Sequence, residues 1–217
     1  KWDALGTEAL PAGPGQSPDD DRDEGAALGR TAGVFRVCFF GTLGRQFYLD
    51  EIPAAARLLQ EEGVQFVVCG DGEALPGLKE NAPPNLILPG WVDAAAIYSL
   101  QRRSHVGLAP YLRTENFAAN LPNKVIEYLS AGLPMLTTIQ SGPVARIVRD
   151  HHLGAFYEPG NAEALAAAVR NWRRSEHRIG ADSRALALFE QRFRAEEVYA
   201  DFAQYLEDLA KSFSSIR

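Results

Sequence analysis

The stretch that decides the fold reads LPNKVIEYLSAGLPMLTT and runs from Leu121 to Thr138. Pro122 near its start is typical of the first turn of a helix, because the early N–H groups of a helix have no partner inside it and the missing N–H of proline costs little there. We predict a helix over 122–131, followed by a buried strand over 134–138. The amino end of this helix is expected to keep free N–H donors.

Two charged side chains near the start of this helix allow two interpretations. Lys124 in the first turn is unfavourable against the helix dipole unless an anion is present to neutralise both. Glu127, one turn further along, can accept two hydroxyl hydrogen bonds at once, which is what a cis-diol such as ribose offers. The alternative is a surface ion pair between Lys124 and Glu127, which is worth about 0.3–0.5 kcal/mol. The residues alone leave both interpretations open.

Short apolar runs alternate with amphipathic helical stretches along most of the chain. We predict strands over 34–40, 64–69, 85–89, 105–110, 134–138 and 154–158. We predict helices over 50–62, 94–103, 122–131, 144–150, 162–173, 182–190 and 196–212, with Asp50 as the N-cap of the first. Strand–helix alternation implies parallel pairing through right-handed crossovers. The chain is therefore expected to form an α/β fold, a doubly wound, mostly parallel six-stranded Rossmann-like sheet with C-terminal helices.

The composition excludes several classes of function. Of the 217 residues, 46% are hydrophobic and 23% charged, as in ordinary globular proteins. The net charge of −6 gives no support for nucleic-acid binding. No apolar stretch approaches the roughly 18 residues that a membrane-spanning helix needs. Cys38 and Cys69 lie in separate apolar runs, so we expect buried, reduced thiols, with a disulfide or a metal site as the alternative.

Glycine-rich loops follow the first two predicted strands, at the sheet edge where ligands of such folds bind. Gly41 and Gly44 in FFGTLGRQ let the backbone turn tightly towards a phosphate, with Arg45 as a nearby cation. A plain tight turn is the alternative. Asp71 lies between glycines in VVCGDGE, and we expect it to form a turn or cap a helix rather than bind ribose.

Six motifs follow one another along the chain: GTLGR at 41–45, FVVCGDGE at 66–73, LPGWV at 88–92, LPNKVIEYLSAGLPML at 121–136, SGPVARIV at 141–148 and GAFYEPGNAEALAAAV at 154–169. In this order and spacing they resemble the C-terminal half of GT-B glycosyltransferases of family 4. The resemblance covers residues 34–172. It implies that the sheet is one half of a GT-B fold and binds a nucleotide-diphosphate sugar, while a missing N-terminal domain binds the acceptor.

The resemblance also implies roles for single residues. Glu127 matches the second glutamate of the family's E-x7-E motif, which holds the ribose hydroxyls. Leu121, Pro122 and Asn123 fall on the loop whose backbone helps to bind the donor sugar and the diphosphate. Val92 matches a position that contacts the nucleobase. The implied reaction is a retaining transfer that needs no metal or other cofactor, because backbone donors and cations stabilise the departing diphosphate.

The first loop departs from the family pattern. Gly41, Thr42 and Gly44 are expected to face the diphosphate, but the family's basic pair would fall near Thr42 and near positions 47–48, so Arg45 is the cation that remains. A subgroup of the family whose motif is Pro-Ser/Asn-Lys…Glu-Tyr resembles this sequence more than the standard motif does. Members of that subgroup often act in envelope polysaccharide assembly. In that subgroup Lys124 takes over the contact with phosphate, and we predict Lys124 and Arg45 as the catalytic cations.

Two further departures concern acidic positions. Ala119 stands where the first glutamate of E-x7-E would, and Glu115 is off register. Arg146 replaces an acidic residue that is usual after the later glycine. These changes leave open a sugar-nucleotide epimerase of the same architecture, or a non-catalytic nucleotide-sugar-binding module, as alternatives to a glycosyltransferase.

The predicted organisation has three parts. Residues 1–33 form a flexible linker or tail from the missing N-terminal domain, because 12–33 are rich in glycine, proline and clustered carboxylates. Residues 34–180 form the nucleotide-sugar-binding domain, and 181–217 form helices that pack on it or towards the partner domain. Because the first residue is Lys1, we expect an excised piece of a longer chain, inactive alone. Its predicted partners are the nucleotide-sugar donor and a glycan or lipid-linked acceptor, and its predicted location is cytoplasmic, with the inner membrane reached through the missing domain.

Overall fold

A computed structural model describes residue 30 and residues 33–214. The strands are β1 (Phe35–Phe40), β2 (Val64–Cys69), β3 (Leu86–Gly90), β4 (Val106–Ala109), β5 (Met135–Thr137) and β6 (Gly154–Phe156). The α-helices are α1 (Glu51–Leu58), α2 (Leu75–Glu80), α3 (Ala94–Arg103), α4 (Glu115–Ala119), α5 (Asn123–Ser130), α6 (Gly142–Asp150), α7 (Ala162–Arg174), α8 (Ala181–Arg192) and α9 (Ala195–Ser214). Short 3-10 helices span Gln60–Glu62 and Glu176–Arg178.

The six strands form one parallel sheet in the order β3-β2-β1-β4-β5-β6. The strand order reverses between β1 and β4, because the chain builds outwards from β1 to β3 and then returns to β4 on the other side. A crevice forms at such a point, since the loops after the two central strands diverge to opposite faces of the sheet. The topology therefore directs attention to the loops after β1 and β4. The predicted Rossmann-like fold is confirmed.

Two hydrophobic cores cover the two faces of the sheet, and alternate residues of β1 contribute to each. Val37 and Phe39 belong to the core that packs under α1 and α7. Cys38 and Phe40 belong to the core under α3, α5, α6 and α8. Complete burial of each large apolar side chain contributes about 1.5–3 kcal/mol, so a central strand buried on both faces is rigid. The buried, reduced state expected for Cys38 is confirmed, and it holds for Cys69 as well.

The six predicted strands all occur, and their ends differ from the predicted ones by at most two residues. Two short helices, α2 and α4, were not predicted, because five or six residues are too few to show an apolar period. The predicted helix over 50–62 ends at Leu58. The 3-10 helix that follows ends at Glu62, and its C-cap, Gly63, takes the left-handed conformation with φ of 67°. Asp50 is the N-cap residue of α1, as predicted, but its backbone is helical and its carboxylate caps no N–H group.

The predicted linker over 1–33 lies outside the described residues, apart from Arg30 and Gly33. Arg30 donates hydrogen bonds to the Ser104 carbonyl at 3.2 Å and to Asp182 at 3.3 Å, which connects it to the amino edge of the sheet and to α8. The boundaries of the three predicted parts stay a prediction. Among the described helices, none is long and apolar enough to cross a membrane.

The last two helices differ in how they pack. Helix α8 buries Ala181, Ala185 and Leu188, and it packs against α5. Helix α9 exposes its apolar stripe, which consists of Val198, Tyr199, Phe202, Tyr205, Leu206 and Leu209. Within the described chain, this stripe is therefore not part of either hydrophobic core. Its interpretation as a surface towards another domain stays a prediction.

Candidate functional site

The loops after β1 and β2 pack backbone against backbone. The N–H of Gly41 donates to the Cys69 carbonyl at 3.1 Å, and the N–H of Leu43 donates to the Asp71 carbonyl at 2.8 Å. Gly70 has φ of +139°, and a Cβ atom there would lie 1.8 Å from the Gly41 carbonyl oxygen. The second loop therefore needs glycine to approach the first loop closely. The second loop thereby holds Gly41 in place.

Lys124 lies beneath the first loop rather than at the surface. The residue is 8% exposed, and its Nζ donates to the Phe40 carbonyl and lies 4.3 and 4.2 Å from the ring centroids of Phe39 and Phe40. Desolvation lowers the pKa of Lys124 to about 8, although the charge of Glu127 acts in the opposite direction. A Cβ atom on Gly41 would lie 3.0 Å from Nζ and, its chain neighbours aside, near no other atom within 4 Å. The space left by this glycine leads to the ammonium group.

Helix α5 begins with an open amino end. Its N-cap residue, Pro122, has an extended backbone with φ of −66° and ψ of 144°, and no side chain caps the helix. Leu121 and Pro122 are half-buried, and Asn123 is exposed. Among the described residues, the N–H groups of Asn123 and Lys124 are therefore available to a ligand at the positive end of the helix dipole, whereas that of Val125 donates to the Pro122 carbonyl at 2.9 Å. The predicted start of this helix is correct to one residue.

Glu127 is exposed one turn along the same helix. Its negative charge contributes to raising the pKa of buried Tyr111, for which desolvation is the main cause, and it partly offsets the lowered pKa of Lys124. Both effects require the carboxylate to lie near this part of the site. The alternative of a surface ion pair with Lys124 is wrong, because Lys124 is buried and bonded to a backbone carbonyl. Within the described chain, the Glu127 carboxylate is free to accept hydrogen bonds.

Arg45 is at the rim of the first loop and already holds an anion. Its side chain is 89% exposed, its Nε donates to one oxygen of Glu73 at 2.9 Å, and its backbone N–H donates to the other at 3.0 Å. An exposed pair of this kind is worth up to about 1 kcal/mol, so a stronger anion could replace Glu73. Thr42 is exposed on the same loop. Gly44 leaves room for the side chain of Gln46, because a Cβ atom on residue 44 would lie 2.5 Å from the Gln46 Oε1.

The turn after β3 brings an aromatic side chain to the surface beside Val92. Val92 is half-buried and packs on the core under α3 and α5. Asp93 caps α3, since its Oδ1 accepts the N–H of Ala96 at 2.8 Å. Trp91 is 75% exposed and is therefore not part of either hydrophobic core. Sequence reasoning missed this residue as a candidate ligand contact, although its position next to Val92 was the available signal.

His105 has a structural role. His105 accepts the N–H of Arg36 on Nδ1 at 3.0 Å and stacks on Phe35, with ring centroids 4.8 Å apart. Desolvation and nearby arginines lower its pKa to about 3, so it is neutral. His151 and His152 lie in a turn after α6, with φ of 53° at His152.

A groove with a cavity volume of about 300 Å³ opens between the segments that follow β4 and β5. It is lined by Leu112, Arg113, Thr114, Glu115, Ala118, Ile139, Gln140 and Ser141. The N–H of Leu112 donates to the Gln46 carbonyl at 3.0 Å, so the groove adjoins the loop after β1. Arg113 on its wall is held by Glu158 through two hydrogen bonds of 3.1 and 2.9 Å. Ala119 is exposed at the end of α4, outside this lining.

Residues 35–174 match the family model described as glycosyl transferases group 1. The chain belongs to this family. The family resemblance predicted from the motifs is thereby confirmed, and the sheet is a GT-B half-domain. No curated protein matches the chain.

Solved glycosyltransferases of GT-B architecture have the same half-domain. HepE of Anabaena in complex with UDP aligns with 18% identity and a TM-score of 0.66, over 84% of this chain and 50% of its own. Sucrose-phosphate synthase of Thermosynechococcus elongatus aligns with 18% identity and a TM-score of 0.65, over 88% and 49%. The C-terminal domain of the group 1 protein LpcC of Francisella tularensis aligns with 15% identity and a TM-score of 0.61, over 82% and 94%. This chain thus spans about half the length of the HepE and sucrose-phosphate synthase chains.

Proposed function

We propose that this chain is the donor-binding domain of a retaining glycosyltransferase, which moves a sugar from a nucleotide-diphosphate sugar to a glycan or lipid-linked acceptor. The observation that carries the proposal is the open amino end of α5. It lies beside the Gly41 loop, with the Lys124 ammonium beneath that loop and the Glu127 carboxylate exposed one turn away. Free N–H groups with a cation suit a diphosphate, and a free carboxylate suits a ribose diol. Family membership and the UDP in the solved HepE complex support the donor class.

The proposed donor runs across the crevice between β1 and β4. The diphosphate binds Gly41, Thr42 and the N–H groups of Leu121 and Asn123, on either side of Pro122. Arg45 leaves Glu73 and pairs with the diphosphate instead. Glu127 holds the ribose, while Val92 and Trp91 contact the nucleobase. The sugar enters the adjoining groove, where carboxylate, hydroxyl and amide groups above apolar side chains suit a saccharide.

The proposed chemistry is electrostatic. Cleavage of the bond between the sugar and the diphosphate leaves negative charge on the diphosphate, and preorganised donors stabilise charge that develops in the transition state. Lys124, Arg45 and the amino end of α5 supply that stabilisation without a metal ion in this proposal. The acceptor is bound by the domain that this chain lacks, in envelope polysaccharide assembly at the membrane. The chain alone is expected to bind donors and to transfer nothing.

Calorimetric titration of the chain with UDP, GDP and ADP tests this proposal. At least one diphosphate should bind at least about tenfold more tightly than its monophosphate, because a charged hydrogen bond is worth about 1.5–3 kcal/mol. The matching nucleoside should bind more weakly still. The proposal would be contradicted if a diphosphate and its nucleoside bound with equal affinity, or if no uridine, guanosine or adenosine nucleotide bound at all.

The affinity for the nucleoside diphosphate is expected to fall as the pH rises from 7 to 9. Lys124 has a pKa of about 8, so it loses its proton in this range, and a bound anion favours the protonated form. The terminal phosphate is already ionised there, since its second pKa is about 6, and cannot cause the decrease. Titrations at pH 7, 8 and 9 measure the trend.

The variant Lys124→Met is the control for this pH dependence, because its side chain can fill the same space without a charge. It should bind more weakly at pH 7 and show no decrease up to pH 9. Its stability should also respond differently to pH. The lowered pKa of Lys124 makes the wild-type free energy of unfolding rise between about pH 8 and the ordinary pKa of 10.5, and the variant lacks this rise. A parallel pH dependence of binding in both proteins would remove Lys124 from the diphosphate site.

A non-catalytic nucleotide-sugar-binding module is the second candidate. The observation that favours it is the scarcity of cations at the first loop, where Arg45 is already paired with Glu73. Turnover of a nucleotide sugar by the full-length protein separates the two candidates, since a binding module would retain affinity for the donor and form no glycoside.

A further inference from the structure

A buried carboxyl group without a hydrogen-bond partner lies at the start of α1. Glu51 is 6% exposed, and neither of its carboxylate oxygens has a hydrogen-bond partner among the described residues. Tyr157, just after β6, is 4% exposed, and its hydroxyl lacks a partner as well. This hydroxyl and the backbone N–H groups of Gly160 and Asn161 face the carboxyl, although none forms a hydrogen bond of normal geometry with it. The group thus lies between the first turn of α1 and the start of α7.

This environment favours the neutral form of Glu51. Burial of a charged carboxylate without aligned donors costs far more than burial of the uncharged acid. Desolvation raises the pKa of Glu51 to about 7, and the nearby charge of Asp50 adds to the rise. The Tyr157 hydroxyl and the two N–H groups act in the opposite direction. The carboxyl therefore changes charge near neutral pH, at a joint between two helices.

The same joint continues directly into the loop after β1. The N–H of Ile52 donates to the Leu49 carbonyl at 3.1 Å, and Leu49 is buried. One residue earlier, the N–H of Tyr48 donates to the Pro110 carbonyl at 2.7 Å. A displacement of the first turn of α1 would therefore act on the loop that begins at Gly41.

We propose that Glu51 is a positioning residue whose neutral form holds the first turn of α1 against Tyr157 and the start of α7. Ionisation makes burial of the carboxyl group unfavourable, and this cost outweighs the attraction of the carboxylate to the Tyr157 hydroxyl and the two N–H groups. It therefore loosens the joint and, through Leu49, the loop over residues 41–50. The consequence for donor affinity rests on the proposed function, because it requires that this loop binds the diphosphate. The consequences for stability and loop protection do not.

Chemical unfolding of the chain between pH 4.5 and 8, without nucleotide, tests the first part. A raised acid pKa means that the folded state binds more protons than the unfolded state, so stability falls as the pH rises from about 4.5 through about 7. The equilibrium constant for folding should decrease about 10–100-fold across this range. Glu51→Gln should lack this decrease and be the more stable protein above pH 7.

Two further variants complete the unfolding experiment. Tyr157→Phe removes a group that favours the charged form, so it should match the wild type near pH 5 and fall below it at pH 8. If Glu51→Gln does not fold, the comparison of Tyr157→Phe with the wild type tests the proposal. Glu163→Gln, in the first turn of α7, is the matched control, since Glu163 is exposed and the variant should follow the wild type. Parallel pH profiles for Glu51→Gln, Tyr157→Phe and the wild type would overturn the proposal.

Amide hydrogen exchange over residues 41–56 measures how well the loop and the first turn of α1 are protected. A purely structural role of Glu51 would not make this protection depend on pH. After correction for the intrinsic pH dependence of exchange, the wild type should exchange at least about threefold faster at pH 8 than at pH 6, and Glu51→Gln should exchange equally at both. Equal protection of the wild type at both pH values would overturn the proposal. If protection changes as expected while no nucleoside diphosphate binds at either pH, the positioning role stands and the proposed function fails.

Discussion

Replacement of Glu127 by alanine is expected to weaken the binding of the nucleoside diphosphate by about 30–150-fold. The carboxylate is the one group of the proposed site suited to accept both hydroxyls of the ribose diol, and hydrogen bonds to a charged group are worth about 1.5–3 kcal/mol each. A net loss of about 2–3 kcal/mol corresponds to this range. Calorimetry with the tightest-binding diphosphate measures it.

Stability separates this effect from unfolding. Glu127 is exposed, so its replacement should change the free energy of unfolding by less than about 0.5 kcal/mol. Glu207→Ala is the matched control, because Glu207 is also exposed within a helix and lies outside the proposed site. It should leave affinity unchanged. If Glu127→Ala and Glu207→Ala bind the diphosphate equally well, the carboxylate does not hold the ribose.

Gly70→Ala is expected to destabilise the chain by about 3–5 kcal/mol. The φ of +139° at this position is a conformation that essentially only glycine adopts, and the new methyl group would lie 1.8 Å from the Gly41 carbonyl oxygen. Since the methyl group would clash with a backbone atom, the clash cannot be relieved by rotation of a side chain. Because the methyl group displaces Gly41, any folded fraction should also lose affinity for the diphosphate. Chemical unfolding with circular dichroism measures the change.

Gly77→Ala is the control for this substitution. Gly77 lies within α2, and a Cβ atom there would meet nothing within 4 Å. Alanine is the better helix former by about 0.5–1 kcal/mol, so this variant should be slightly more stable than the wild type. If Gly70→Ala unfolds within about 1 kcal/mol of the wild type, the close packing of the two loops is not what fixes Gly41.

The sheet could be predicted from the sequence because its signal is local. Each strand is a short apolar run and each long helix carries an apolar period, so β2 and α3 were predicted with their observed ends. The order of strands follows from the alternation and from the handedness of crossovers. Helix α4 was not predicted, because its five residues, ENFAA, are too few to show a helical period of apolar side chains.

The surroundings of the candidate site could not be predicted, because they depend on contacts between distant residues. Lys124 was identified from its place at a helix start, but its burial comes from Phe39 and Phe40, which lie some 84 positions earlier. Glu51 at the start of a helix reads as a solvated residue, and its burial depends on Tyr157 from the far end of the sheet. Gly70 was predicted as part of a turn, whereas its close contact with Gly41 required both loops in place.

The central claim is that Glu127 grips the ribose of a nucleotide whose diphosphate lies at the amino end of α5. A thermodynamic cycle tests it most directly: the nucleoside diphosphate and its 2′,3′-dideoxy analogue are each titrated into the wild type and into Glu127→Ala. The wild type should bind the analogue about 30–150-fold more weakly, and Glu127→Ala should bind both ligands with the same, weaker affinity. If loss of the diol weakens binding by the same factor in both proteins, Glu127 does not contact the ribose and the account is wrong.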